Sequence, residues 1–95
     1  MPQKGFVLSI VSLRRKYGVS LFDIARAGKV VAGVEGMDRS EAAGMIALKL
    51  LEQQSDLKQR VEGISGADWE QFFQGLIELI EVLLPLIVQI IMLFL

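Results

Sequence analysis

The last stretch of this chain restricts its folding options more than any other. From Val82 to Leu95 every residue except Pro85 and Gln89 is aliphatic, aromatic or methionine. A large apolar side chain gains about 1.5–3 kcal/mol by leaving water, so such a run has to be covered. Lipid, other copies or the rest of the chain are the available covers. Upstream to Gly75 there is no Lys or Arg, and Glu78 and Glu81 are the only charges. As a helix, 75–95 reaches roughly 30 Å, about one hydrocarbon thickness, whereas 82–95 alone reaches roughly 20 Å. A full span therefore requires the glutamates near headgroups, a thinned bilayer, or shielding by other helices.

The polar residues of this segment are ordered. Gln71, Gln74, Glu78, Glu81, Pro85 and Gln89 follow steps of three and four. At about 100° per residue they form one stripe about 80° wide. Phe72, Phe73, Leu76, Leu83, Leu84, Ile87, Ile90, Ile91 and Phe94 fill the remaining circumference. They are the candidate contacts with lipid or with other subunits. The stripe packs on the protein's own helices, faces a shared axis between copies, or lies within a soluble oligomer. Pro85 removes one amide donor and predicts a bend. Trp69 suits an interfacial position at the start of the helix.

Three places carry the same stop-and-start pattern: Tyr17-Gly18-Val19-Ser20, Glu35-Gly36-Met37-Asp38 and Glu62-Gly63-Ile64-Ser65. A glycine after a helix adopts positive φ, and the apolar residue beyond it packs back on the last turn. Ser20 to Asp23, Asp38 to Glu41 and Ser65 to Asp68 have capping-box spacing. The pattern predicts an all-α, hairpin-like array of four helices at about 4–17, 20–35, 39–62 and 66–95. Residues 1–65 form a small helical head and 66–95 a hydrophobic helix, together one domain. In the third helix Ala43, Ile46, Ala47, Leu50, Leu57, Val61 and Ile64 recur at helical spacing. In the second, Leu21, Ile24, Ala25, Val31 and Val34 point inward, and small residues from Ala25 to Gly33 allow close helix contact.

A net charge of −1 conceals an asymmetry. Up to Lys29 the chain carries Lys4, Arg14, Arg15, Lys16, Arg26 and Lys29 against Asp23 alone. From Val61 onward Glu62, Asp68, Glu70, Glu78 and Glu81 are unopposed by any cation. The apolar segment Phe6–Leu13 is too short to span a bilayer and runs into Arg14-Arg15-Lys16. That combination suits an interfacial helix on anionic lipid, or an acidic partner surface. It equally suits a core helix whose solvated last turn offsets the dipole. No small-x-small cleavage site follows, so the segment does not read as a signal peptide.

With no Cys and no His, the chain has no thiol nucleophile, no Cys/His zinc site and no imidazole base. Glu78 and Glu81 lack an accompanying nucleophile, so no enzyme and no cofactor is expected. Residues 17–26 resemble the first helix of a helix-turn-helix. The segment Gly28–Glu35 that follows lacks base-reading side chains, so no nucleic acid is expected. The layout, a helical head before one hydrophobic helix, resembles small membrane-associated components of phages, virions or bacterial envelope machines, holins among them. It departs from holins in having no basic tail after the hydrophobic segment. The resulting expectation is a non-enzymatic, membrane-associated structural or assembly subunit. Its partners are a lipid bilayer and copies of itself or other subunits. A holin-like pore and a soluble obligate oligomer are the alternatives.

Overall fold

Local hydrogen bonding sets the helix boundaries in the computed structural model, which describes residues 8–65 and 68–95. These residues form five α-helices and no strand: α1 (Ile10–Tyr17), α2 (Leu21–Lys29), α3 (Arg39–Gln53), α4 (Leu57–Ser65) and α5 (Trp69–Phe94). A 3-10 turn, Val34–Gly36, precedes α3. The all-α class and the long C-terminal apolar helix agree with the sequence, and five helices replace the expected four.

The first helix starts at Ile10 because Ser9 caps it. The Ser9 hydroxyl accepts from the Ser12 amide at 3.1 Å, and the Ser9 amide donates to Ser12 Oγ at 3.1 Å. This box was not anticipated, and the expected start near residue 4 falls outside the described residues. At the other end Gly18 is left-handed, with φ 73°. The Gly18 amide donates to Arg14 O at 3.0 Å and the Val19 amide to Leu13 O at 3.3 Å, which closes the α1 terminus as expected. Val19 is fully buried against it. The next box also forms as read: Ser20 N donates to Asp23 Oδ2 at 2.9 Å and Asp23 N to Ser20 Oγ at 3.2 Å.

Beyond this point the boundaries shift. The second helix ends at Lys29, not at residue 35, and Gly33 rather than Gly36 takes positive φ, at 72°. Gly28 and Gly33 are poor helix formers, and a left-handed Gly33 breaks the helical path outright. Asp38 precedes α3 without a side-chain capping bond. The third expected helix is broken after Gln53. Gln54 leaves helical geometry, with φ −124° and ψ 76°, ahead of Ser55-Asp56, two weak helix-interior residues. Gly63 lies inside α4, so it does not stop a helix. The last helix starts at Trp69 behind Asp68, and Ser65 belongs to α4.

The core is built around α5, which packs on α2 and α3, while α1 packs on α4. Ile24, Ala25 and Ala27 of α2 and Ala43, Ile46, Ala47 and Leu50 of α3 are fully buried with Phe72, Ile80 and Ile87 of α5. The inward stripe of the third expected helix is thus observed through Val61, and the side chain of Ile64 lies outside the described residues. Val31 and Val34 are buried, whereas Ala32 and Gly33 are exposed. Gly28 marks the closest approach: a Cβ there would sit 3.1 Å from Ile91 Cδ1 and 3.3 Å from Ile46 Cδ1. Tyr17 meets Phe72 edge-on, with centroids 4.9 Å apart, and ties α1 to α5. Arg60 fastens the same region. Its Nη1 donates to Tyr17 O at 2.6 Å, and its Nη2 to Gln54 Oε1 at 2.7 Å.

Candidate functional site

The orientation of α5 decides what the rest of the molecule meets. Phe72, Leu76, Ile80, Leu84, Ile87 and Ile90 are buried in the chain's own core. Most of the wide apolar face expected to meet lipid or other subunits is therefore already covered by α2 and α3. Of the remaining candidates, Phe73, Leu83 and Ile91 are half-buried, and Phe94 is exposed. The polar stripe takes the opposite side. Gln71, Gln74, Glu78 and Gln89 are exposed with Pro85, and Glu81 is intermediate. The physical reason is ordinary amphipathic sorting: the face with the most apolar area finds the core and the carboxylates keep their water. The stripe's distal members Pro85 and Gln89 border a cavity of about 410 Å³ with Val34, Glu35, Met37 and Arg39.

Pro85 lies inside α5 on this exposed side and does not end the helix. The Glu81 carbonyl loses its intrahelical amide partner there. Trp69 is half-buried at the start of α5. It stacks on Phe72 at 5.5 Å and lies 5.6 Å from Phe73. Among the described residues neither Glu78 nor Glu81 forms an ion pair; the pairs are Arg26–Asp23, Lys49–Glu52 and Arg60–Asp56. Neither glutamate pairs with Arg14, Arg15 or Lys16 among the described residues. No cluster of three or more potential metal-binding side chains occurs among the described residues.

What α5 leaves uncovered is concentrated toward its end. Val82 is 71% exposed, Met92 70%, Leu93 74% and Phe94 69%. Phe94 touches Phe22 of α2 edge-on at 6.2 Å, and Lys29 Nζ donates to Leu95 O. Phe22 in turn lines a groove of about 670 Å³ between α1 and α2, with Ile10, Val11, Arg14, Arg15, Ser20 and Leu21. The basic triplet is thereby divided. Arg14 and Arg15 border the groove, while Lys16 is exposed elsewhere on α1 and does not line it.

Val11 falls within the apolar segment 6–13 read from the sequence, whereas Phe22 was not singled out. A signal existed for Phe22: Arg26 and Lys29 follow it at steps of four and three, on one flank of α2. Asp23, next to Phe22, has a perturbed carboxyl. Burial on its own raises it, but hydrogen bonds from Ser20 and the Arg26 guanidinium outweigh burial and hold it below its ordinary value. Comparison with protein-family models, curated proteins and solved structures finds no match.

Proposed function

We propose that this protein is a small, non-enzymatic, membrane-associated helical subunit that works in an assembly, either with copies of itself or within a larger complex. One observation carries the reading. The 26-residue α5 is long and apolar enough to cross a membrane, yet only 28% of its most apolar window is buried within the fold. The uncovered remainder includes Val82, Leu86, Met92, Leu93 and Phe94, and water is a poor solvent for that set. Because the same helix supplies the core, attachment through its exposed distal end is the arrangement that keeps α2 and α3 covered. Crossing the bilayer as an isolated rod would instead strip Ile24, Ile46 and Leu50 of their cover.

The test uses substitutions that spare the core. Deleting 82–95 would also remove Leu84, Ile87 and Ile90, so its outcome would mix folding with attachment. Met92→Ser with Leu93→Ser changes two exposed side chains. The full chain is expected to float with neutral phosphatidylcholine vesicles, and the double variant to remain in solution with its helicity intact. A wild-type chain that is a detergent-free, soluble particle and does not float would remove the membrane reading and favour a soluble obligate oligomer.

A second reading, a holin-like pore, draws on one observation: Gln71, Gln74, Glu78 and Gln89 lie outward on a continuous side of α5, where a ring of copies would bring them to a common axis. It requires vesicle leakage that changes in Glu78→Gln with Glu81→Gln. Attachment without leakage supports the anchoring reading.

A further inference from the structure

We infer that the groove between α1 and α2, together with the end of α5, forms a docking surface for the anionic headgroups and outer acyl region of a lipid bilayer. The inference rests on the membrane-associated reading and goes beyond it by naming the lipid class and the residues that select it.

The surface is built from three elements whose contacts are continuous. Val11, 58% exposed, and Phe22, 45% exposed, stand at the α1–α2 groove. Phe22 touches Phe94 at the end of α5, where Leu93 is also exposed. One apolar patch thus runs from α1 across α2 to the tip of α5. Its border is cationic. Arg14 and Arg15 line the groove, and Lys29 stands where α2 meets the end of α5. Among the described residues neither Arg14 nor Arg15 forms an ion pair with a carboxylate, whereas Lys29 is engaged with Leu95 O. Arg26, the remaining cation on this flank, is neutralised by Asp23.

Uncompensated cations around exposed aromatic and aliphatic side chains match an anionic membrane interface. Guanidinium groups hold phosphate or carboxylate oxygens, and the apolar side chains enter the boundary beneath them. An acidic second copy fits less well. The exposed side of α5 presents Glu78 among the neutral Gln71, Gln74 and Gln89, one charge against the two arginines of the groove.

The experiment compares sedimentation of the full chain with vesicles of phosphatidylcholine alone and of phosphatidylcholine with phosphatidylserine, for wild type and for Arg14→Gln with Arg15→Gln. Wild type should bind the anionic vesicles more tightly, and the double variant should lose about tenfold to thirtyfold of that affinity, fivefold or so per cation. Binding to neutral vesicles should be unchanged. A second measurement places the patch: with Trp69→Phe to remove the native indole, Phe22→Trp should blue-shift on anionic vesicles and be quenched by brominated acyl chains. Equal binding of wild type and double variant to both vesicle types would overturn this inference while leaving membrane attachment intact. No binding to either would overturn both. A double variant that dissociates a lipid-free oligomer, with no change in lipid preference, would assign the groove to a second copy.

Discussion

At the residue scale, a few side chains fix the chain's turns, and glycines show how far local chemistry reaches. Gly33 has φ 72° with open space where a Cβ would stand, whereas Gly63 lies inside α4, also with open space. Alanine at the two positions should therefore act in opposite directions. Gly33→Ala should destabilise by about 1–2 kcal/mol through left-handed strain, and Gly63→Ala should stabilise by about 0.5–1 kcal/mol through helix propensity. Urea unfolding in mild detergent measures both, and equal signs would contradict the assigned backbone. Arg60 offers a second residue-scale test. It satisfies the Tyr17 carbonyl at the end of α1, so Arg60→Ala should cost about 1–2 kcal/mol, with part of the loss recovered in Arg60→Lys. An unchanged unfolding midpoint in Arg60→Ala would show that the contact is idle.

Asp23 links charge to the stability of α2. Its carboxyl is held below the ordinary value of 3.8, so it favours the folded state at higher pH. That contribution is complete above 3.8 and is lost as pH falls through the lower folded-state value. Wild type should thus exceed Asp23→Asn in stability near neutral pH, and the difference should shrink in acid. A gap that stays constant into strong acid would show that the Ser20 box, rather than the ionised carboxylate, accounts for it.

At the scale of elements, the sequence made some features legible and concealed others for identifiable reasons. The α1–α2 junction was readable because Gly18, Val19, Ser20 and Asp23 each make the contact their chemistry favours, within a few residues of one another. Gly36 and Gly63 carry the same letters without the same conformation, because a glycine permits positive φ but does not impose it. The break between α3 and α4 was hidden, since the inward apolar spacing continues from Leu50 to Leu57 across it. The Arg60 bridge joins residues 43 apart in sequence, beyond any local pattern. For α5, helical spacing showed correctly which residues share a side. It did not reveal which side the rest of the chain would cover. That choice required knowing that α2 and α3 together supply enough apolar surface for Phe72, Leu76, Ile80 and Ile87.

At the scale of the whole molecule, α5 divides the space around it. It is the spine of the core on one side and an exposed polar strip on another, and its far end is the membrane contact we propose. The chain contains no Cys, so single cysteines carry a nitroxide label without background. Labels at positions 74, 80 and 92 in vesicle-bound protein, read against lipid-soluble oxygen and a water-soluble relaxant, test the division directly. Gln74→Cys should respond to the aqueous relaxant, Met92→Cys to oxygen, and Ile80→Cys to neither. Strong oxygen access at position 80 as well as 92 would show α5 surrounded by lipid and separated from α2 and α3, and would contradict the account.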